Sequence, residues 1–349
     1  MHSTIPYIIA EIGCNHNGDL DLAKRMIDAA AGCGCQAVKL QLFRGKQLAT
    51  RRYLEDLNAG TVRLENVEKW ESRELGLKDI FEQVEQFTIG YDEHVQLFRH
   101  AARRGIGYAS TAIDRDGVDF LVQEKVDFVK LSSMDANHAD LIEYVLSKNV
   151  PLVLSLGMAS LGEIEDVVRL IPPTARERVS LLHCVSLYPP RDELVNLNFM
   201  KTLKKVFGLN TGYSDHTLGY SIALAAVAAG ATIVEKHFTL DKNMPGWDHR
   251  VSADPEEMKI IVQESRRIVL AMGDRYRVLS AEELEKRDKF RRSWVSTRRL
   301  ERGTVITEDM LTLKRPGTGI APSEKKYVLG RTVRRTIDAD TTLAWENLV

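Results

Sequence analysis

The chain has 349 residues, with 48 Lys and Arg against 49 Asp and Glu, 44% apolar residues and 28% charged residues. This mix is typical of a globular protein and excludes a disordered or collagen-like chain, and the balanced charge gives no reason to expect a nucleic-acid partner. No apolar stretch approaches the ~20 residues of a membrane span, so we expect no membrane partner. The first residues lack a signal-peptide pattern and no CxxC pair occurs, so we expect a cytoplasmic protein.

Short apolar runs alternate with segments of helical spacing over residues 6–273. The apolar runs are 7–12, 37–42, 106–110, 128–131, 151–154, 179–183, 209–212 and 232–236. The helical segments between most of them are 20–31, 91–104, 118–124, 139–148, 161–170, 220–229 and 255–272. Continuous apolar runs are typical of buried parallel strands, and eight β/α units favour a closed (β/α)8 TIM barrel over an open doubly wound sheet.

Two segments depart from this alternation. Residues 43–90 are a long charged insertion after the second strand, which a barrel would carry at its C-terminal face, where loops build active sites. After residue 275 the composition becomes polar, which predicts a barrel over 1–275, a partly helical linker over 276–290 and a small β-rich domain over 291–349. This last domain carries 12 basic and 7 acidic side chains. We expect it to need docking for full stability because of its size.

Polar residues at the C-terminal ends of barrel strands face the substrate in this class of fold. Lys39 and Lys130 lie in the apolar runs AVKLQLF and DFVKLSS, where a lysine is costly to bury without an anionic partner. Together with the hydroxyls of Ser133, Ser155 and Ser214, they predict a site for a phosphate and a carboxylate. Either lysine taken alone is also compatible with a structural salt bridge.

Two histidines, His216 and His237, follow polar residues at the ends of the seventh and eighth strands. Two neutral imidazoles with open positions suit Mn²⁺ or another divalent Lewis acid, with waters as the remaining ligands. Four protein ligands for a closed zinc site are not found in the sequence. A pair of hydrogen-bonded core histidines is an equally weighted alternative.

Seven motifs of the chain resemble the sialic acid synthase family, including its spore coat polysaccharide biosynthesis branch. They are AEIGCNHNGD, AVKLQLF, LSLGMAS, LLHCVSLYP, GYSDHT, VEKHFTLDKNMPGWDHRVS and KRPGTGI. The resemblance implies a TIM barrel followed by an antifreeze-like (SAF) domain. It also implies condensation of phosphoenolpyruvate with an open-chain N-acyl amino-sugar aldehyde, giving a nonulosonic acid and phosphate for surface polysaccharide.

The resemblance further implies roles for individual residues. His216 and His237 would hold the metal, which would be Mn²⁺ or another divalent ion such as Mg²⁺ or Co²⁺. Phosphoenolpyruvate would be surrounded by Lys39, Thr111, Lys130, Ser133, Ser155, Ser186 and Ser214. The acceptor would contact Gln41, Tyr188, Asp248 and Arg315, and catalysis would involve Glu11, Asp135, His216 and His237. Arg315 would reach the site of the other subunit in a domain-swapped homodimer.

Elementary electrostatics adds an expectation for the two catalytic carboxyls. Among lysines, Glu11 and Asp135 should stay ionised and stabilise the oxocarbenium-like C2 of the intermediate, in preference to acting as acids. The family usually has Glu at position 135 and Asn at position 186, where this chain has Asp135 and Ser186. A modified amino sugar is therefore at least as well favoured as N-acetylmannosamine.

Two further functions compete with this synthase. One is a related barrel synthase that makes a 3-deoxy sugar acid from a phosphorylated aldose and needs a second phosphate site. The other is a sugar-binding homologue that has kept the fold without catalysis. The lysines, the histidines and Arg315 favour an enzyme.

Overall fold

The computed structural model describes residues 5–43, 49–59, 61, 85–274 and 276–349. The chain divides into two compact units, Met1–Gly273 and Asp274–Val349. The predicted linker over 276–290 falls within the second unit. Of the predicted insertion at 43–90, residues 44–48, 60 and 62–84 lie outside the described residues.

Eight parallel strands close the first unit into a barrel in the order of the chain, which confirms the predicted (β/α)8 fold. The strands are β1 Tyr7–Gly13, β2 Ala37–Leu42, β3 Gly107–Ala112, β4 Phe128–Leu131, β5 Leu152–Ser155, β6 Val179–Cys184, β7 Asn210–Asp215 and β8 Ile233–His237. The closing pair is β1 with β8, in which Glu11 is opposite His237.

Helices connect the strands around the outside of the barrel. They are α1 Leu20–Cys33, α2 Arg51–Asn58, α3 Tyr91–Arg104, α4 Arg115–Gln123, α5 Ala139–Ser147, α6 Leu161–Arg169, α7 Asp192–Val195, α8 Asn198–Phe207, α9 Ser221–Ala228 and α10 Pro255–Met272. Capping residues determine where these helices begin and end. Asp19 accepts the first amides of α1, whereas the left-handed Gly34 ends that helix.

Successive side chains of each strand point to opposite faces of the sheet, which gives the barrel unit two separate apolar cores. Ile8, Ala10 and Ile12 of β1 belong to the large apolar cluster that packs the sheet against the helices. Ile9 lies on the opposite side and packs inside the barrel with Ala37, Ala109, Phe128, Val153 and Leu182. This inner cluster is small, and the strand positions beyond it are polar. The barrel interior therefore has an apolar base and a polar upper layer.

The observed strands extend further than the predicted ones where polar residues follow the apolar run. The seventh run was predicted over 209–212, but β7 continues to Asp215 because its last two residues are paired with β8. Helix α8 was not predicted, although Phe199, Met200, Leu203 and Phe207 have helical spacing and pack against the core. None of the described helices has both the length and the apolar composition needed to span a bilayer.

The second unit is a small β-rich fold with its own core. Helix α11 Ala281–Phe290 precedes the antiparallel pair β9 Ser293–Ser296 and β10 Leu311–Lys314, and a short helix α12 Lys325–Val328 follows. No residue of α11 is buried. The core of the unit consists of Trp294, Leu300, Ile306, Leu311, Ile320, Val328, Val333, Ile337, Leu343 and Leu348. A short β-rich domain at this end of the chain is thus present as predicted.

Candidate active site

A cavity of about 410 Å³ opens at the carboxyl ends of the barrel strands. Most of the residues singled out in the sequence line it. They are Glu11, Lys39, Gln41, Thr111, Lys130, Ser133, Ser155, Ser186, Tyr188, Ser214, His216 and His237. Strand register brings them to one level, because Glu11 is opposite Lys39, Thr111 opposite Lys130, and Ser214 opposite Glu235. The barrel thus gathers residues that lie more than 200 positions apart in the chain.

Two lysines and two carboxylates share the floor of this cavity, and all four are buried. Lys39 Nζ lies 2.8 Å from Glu11 Oε2 and 4.0 Å from Glu235 Oε2. Lys130 Nζ lies 3.1 Å from Glu235 Oε1. The carboxylates supply the anionic partners that buried lysines require. The salt-bridge interpretation of each lysine is therefore correct, and the same lysines also border a cavity large enough for a ligand.

The pKa values of the two carboxyls of this floor are shifted in opposite directions. Burial raises the pKa of Glu11, and the charge of Lys39 offsets only part of the effect. Burial acts on Glu235 as well, but the charges of Lys130 and Lys39 outweigh it and lower the pKa of that carboxyl. Glu235 is thus the more acidic of the two carboxyls, and Glu11 is the one that takes up a proton more readily. That Glu11 remains ionised stays a prediction: its ion pair with Lys39 favours the charged form, whereas burial and the charge of Glu235 oppose it.

Hydroxyl groups line the same cavity as the two lysines. Lys39 Nζ donates to Thr111 Oγ1 at 3.0 Å, and Ser214 donates to Glu235 Oε1 at 2.9 Å. Ser133 Oγ accepts from the amide of Gly157 at 3.0 Å. Ser155 Oγ is buried without a hydrogen-bond partner. An unpaired buried hydroxyl in a cavity lining is a donor for an oxygen-rich ligand.

His216 and His237 lie together on one side of the same cavity. Their ring centroids are 5.4 Å apart, and Tyr188 stacks on His216 with a centroid distance of 4.0 Å. Nδ1 of His216 lies 2.9 Å from the carbonyl oxygen of Val185, so Nδ1 donates a proton to that oxygen and Nε2 is the ring nitrogen left to bind a metal. Such a backbone bond is the usual way of fixing the tautomer of a metal-ligating histidine.

The second histidine also fits a metal ligand. Nδ1 of His237 is buried without a hydrogen-bond partner and lies 3.6 Å from Asp248 Oδ2. Burial lowers the pKa of His237, so its imidazole is neutral. Burial also raises the pKa of Asp248 to about 6. Within the described part of the chain, no group of three or more His, Cys, Asp and Glu is arranged to hold a metal. Two imidazoles would therefore need other ligands from water or substrate.

Two of the predicted residues, Asp135 and Asp248, are not part of the cavity lining, and a third, Arg315, is not in the barrel unit. Asp135 accepts from Ser132 at 2.9 Å and lies 3.7 Å from His138, and burial raises the pKa of its carboxyl. Asp248 is next to the lining residue Trp247 and lies 3.6 Å from Nδ1 of His237. Arg315 belongs to the second unit, where its guanidinium lies 4.9 Å from the ring centroid of Phe290.

Glu235 is the main residue that the sequence analysis left without a role. The sequence pattern does indicate a site role for Glu235. It lies two residues before His237 and so on the same face of the strand, and a buried carboxylate needs cations. Met134 and Met158 also line the cavity without having been predicted to do so. Their side chains come from turns after β4 and β5, and the periodicity of strands and helices does not extend to such turns.

Comparison with known proteins identifies the family. The profile of the NeuB family matches residues 26–277, and that of the SAF domain matches residues 291–349. The chain belongs to the NeuB family. An N,N'-diacetyllegionaminic acid synthase from Legionella pneumophila is 38% identical over 98% of this chain and 94% of its own length. The human N-acetylneuraminate-9-phosphate synthase is 33% identical over 97% of this chain and 92% of its own.

A solved structure extends the comparison to the fold. The N-acetylneuraminic acid synthetase of Leptospira borgpetersenii, crystallised in complex with citrate, is 32% identical to this NeuB chain. The alignment covers 81% of this chain and 90% of that chain, with a TM-score of 0.70. The resemblance drawn from the motifs is therefore confirmed at the level of family and fold.

Proposed function

We propose that this protein condenses phosphoenolpyruvate with the aldehyde of an open-chain N-acyl amino sugar, giving a nonulosonic acid and inorganic phosphate. The observation that carries the proposal is the joint presence of two buried lysines and two histidines around one cavity. The names of the relatives support the same class of product.

The floor of the cavity suits phosphoenolpyruvate because that substrate carries two anionic groups. Lys39 and Lys130 would each exchange part of their contact with a carboxylate for an oxygen of the ligand, and the unpaired hydroxyl of Ser155 would donate to it. Thr111, Ser133, Ser186 and Ser214 would supply further hydrogen bonds.

The reaction balances with one water. C3 of phosphoenolpyruvate attacks the aldehyde carbon and forms the new C–C bond, which leaves an oxocarbenium-like C2. Water adds to C2, after which the bond from C2 to the phosphate oxygen breaks. One proton of the water reaches the former aldehyde oxygen and the other leaves with phosphate. Glu235, ionised between the lysines, would stabilise C2, and Glu11 would carry a proton.

His216 and His237 would hold a divalent ion, for which Mn²⁺ is our first candidate. Such an ion polarises a carbonyl oxygen and so makes an aldehyde carbon more electrophilic. Replacing either histidine by Ala should leave the fold intact, abolish metal uptake measured by elemental analysis and lower turnover about 100-fold or more. Full turnover by chelator-treated protein would contradict this assignment.

Phosphate release measures the proposed reaction directly. Phosphoenolpyruvate alone should release no phosphate, and release should require both an N-acyl amino-sugar aldehyde and a divalent ion. Mass spectrometry should find a product equal to the two substrates plus water minus phosphoric acid. Sugar binding without phosphate release, across a panel of such aldehydes, would favour the non-catalytic alternative.

The charge of the cavity disfavours a phosphorylated aldose as acceptor. Among the described lining residues, Lys39 and Lys130 are the only lysines or arginines, and both lie at the floor with carboxylate partners. These described residues offer no further cation for a second phosphate. We expect kcat/KM for a 6-phosphorylated acceptor to be at least about 100-fold below that for its unphosphorylated form, which is the effect of an unpaired charged group. Equal rates would favour the sugar-phosphate synthase.

We also propose that Arg315 serves the active site of a second subunit in a domain-swapped homodimer. Mixed dimers of two inactive variants, His216→Ala and Arg315→Ala, test this arrangement. If Arg315 acts in trans, random assembly restores about a quarter of the sites. If Arg315 serves its own barrel, every site carries one defect and co-expression restores no activity.

A further inference from the structure

The loop between β8 and α10 covers residues 238–254 and brings two residues to the active site. Trp247 lines the cavity, and Asp248 Oδ2 lies 3.6 Å from Nδ1 of His237. A loop of this length has few regular backbone hydrogen bonds of its own, so its contacts with neighbouring elements determine where it lies. The position of Asp248 beside His237 therefore depends on the groups that hold this loop.

Asn15, in the turn after β1, contacts the loop near both of its ends. Its side chain is 1% exposed, and Nδ2 donates to the carbonyl oxygen of Phe238 at 2.9 Å and to Ser252 Oγ at 2.8 Å. Ser252 Oγ in turn donates to the carbonyl oxygen of Asp248 at 2.7 Å. One amide group thus links the residue that follows His237 to the backbone of Asp248.

The hydrogen atoms of this chain of bonds require an amide at position 15. The hydroxyl of Ser252 gives its proton to a carbonyl oxygen, so it can only accept from Asn15. The carbonyl oxygen of Phe238 is also an acceptor, and the NH2 group of asparagine supplies the two N–H donors that both need. An ionised aspartate has the same shape but no hydrogen to donate, and leucine has a similar size but no polar atom.

Stability alone does not account for Asn15. Within the described part of the chain, its Oδ1 atom is buried without a hydrogen-bond partner. An unpaired buried acceptor costs free energy, which offsets much of what the two donated bonds contribute to folding. The direction of these bonds is what the residue adds, because they fix two segments of the loop relative to β1.

A second asparagine of the same turn contacts the middle of the loop. Asn17 Nδ2 donates to the carbonyl oxygen of Pro245 at 2.8 Å. The next residue, Gly246, has φ of +149°, and a Cβ there would lie 3.0 Å from Asn17 Oδ1 and 2.7 Å from the ring of His249. The turn and the loop are therefore packed closely on both sides of Asp248.

We propose that Asn15 is a positioning residue, which acts through Ser252 and Phe238 to hold Asp248 and His237 in the arrangement that metal binding requires. This inference rests on the proposed metal site. Asn15 does not line the cavity, so it contacts neither a ligand there nor the ion. Outer hydrogen-bond partners of metal-binding groups typically change metal affinity about 10- to 100-fold when they are removed.

Two variants with a matched control test the proposal. Asn15→Leu removes both donated bonds at nearly constant volume, and Ser252→Ala removes only the link to Asp248. Thr211→Val is the control, because it removes a buried hydroxyl that donates to the carbonyl oxygen of Leu209 at 3.2 Å, at the start of β7 and away from the cavity.

Calorimetric titration of metal-free protein with Mn²⁺ and, separately, with phosphoenolpyruvate distinguishes positioning from a general structural role. The Kd for Mn²⁺ should rise about tenfold or more in Asn15→Leu and Ser252→Ala. The Kd for phosphoenolpyruvate should change less than about threefold, because the lysines of the cavity floor are untouched. The control should change neither Kd. An unchanged Kd for Mn²⁺ in both variants, or an equal rise in both constants, would overturn the proposal.

A measurement without metal keeps the proposal separate from the proposed function. Trp247 packs edge-on against Phe87 at a centroid distance of 4.9 Å, so its ring reports the position of the loop. In protein labelled with 5-fluorotryptophan, the ¹⁹F resonance of Trp247, assigned with Trp247→Phe, should shift or broaden in Asn15→Leu and Ser252→Ala. The resonance of Trp294, in the second unit, should stay unchanged. An unchanged Trp247 resonance in both variants would overturn the positioning role. Failure of the wild type to bind Mn²⁺ would contradict the proposed metal site, and the ¹⁹F result would then decide the role of Asn15.

Discussion

Two adjacent residues of β8, Glu235 and Lys236, form buried ion pairs on opposite sides of the same strand. Glu235 faces the barrel interior, where Lys130 lies 3.1 Å away and a cavity adjoins the pair. Lys236 faces the helices and lies 2.9 Å from Asp215, and both side chains are fully buried. Neither residue of the outer pair lines the cavity. The chemistry of the two pairs is the same, so access to a cavity is what distinguishes a ligand site from a structural bridge.

The outer pair, Asp215 and Lys236, also holds the turn that carries His216. Asp215 Oδ1 accepts from the amide and the hydroxyl of Thr217, at 2.9 Å and 2.8 Å, and Lys236 contacts the carbonyl oxygen of Thr217. The turn held in this way carries His216. The outer pair is therefore expected to stabilise the fold and orient a histidine, whereas the inner pair is expected to bind an anion.

Removing one charge of the outer pair should have the largest effect on stability. Lys236→Met leaves Asp215 buried without its cation, which typically costs about 3–5 kcal/mol. Chemical denaturation measures the loss. The double variant Asp215→Asn/Lys236→Met should recover at least half of it, because Asn keeps an acceptor for Thr217 and no charge remains. A single variant as stable as the wild type would show that the outer pair does not hold the fold.

The same substitution in the inner pair should affect activity more than stability. Lys130→Met removes a cation from the proposed phosphoenolpyruvate site, so kcat/KM should fall about 100-fold, the scale of one lost electrostatic contact. Glu235 would retain Lys39 at 4.0 Å and Ser214 at 2.9 Å, which limits the cost in stability. Lys205→Met, on the exposed face of α8, is the matched control and should change neither quantity. A loss of stability equal to that of Lys236→Met would remove the distinction between the pairs.

An ion pair on the protein surface should have the smallest effect. Asp28 of α1 lies 2.6 Å from both Arg104 and His100 of α3, and its side chain is 32% exposed. The hydrogen bond from Arg104 lowers the pKa of Asp28 to about 2. Solvent screening limits such a pair to about 1 kcal/mol or less.

The pH dependence of Asp28 has a definite sign. Its pKa is lower in the folded protein than in the unfolded chain, where it is about 4, so the stabilisation is complete above that value and disappears as the pH falls toward 2. The difference in unfolding free energy between wild type and Asp28→Asn should therefore be larger at pH 7 than at pH 3. A constant difference would show that the carboxylate charge contributes nothing.

The sequence predicts the barrel well because buried parallel strands are continuous apolar runs. The bounds of Ala37–Leu42 and Phe128–Leu131 agree with the prediction to the residue. The end of β7 was missed because Ser214 and Asp215 are polar, and each is buried only through a partner on another strand. Lys39, Lys130 and the two histidines were identifiable as strand-end residues. Their partner Glu235 was not assigned, since ion pairing across a barrel depends on strand register.

The central claim is that the inner ion pair of β8 binds an anionic ligand and the outer pair does not. Binding of phosphoenolpyruvate to three proteins tests this claim most directly. Isothermal titration with the wild type, Lys130→Met and the double variant Asp215→Asn/Lys236→Met compares the two sides of β8 under the same conditions. The account predicts that Kd rises about 100-fold in Lys130→Met and changes less than about threefold in the double variant. Equal weakening in both, or no weakening in Lys130→Met, would contradict the claim that only the inner pair binds the anion.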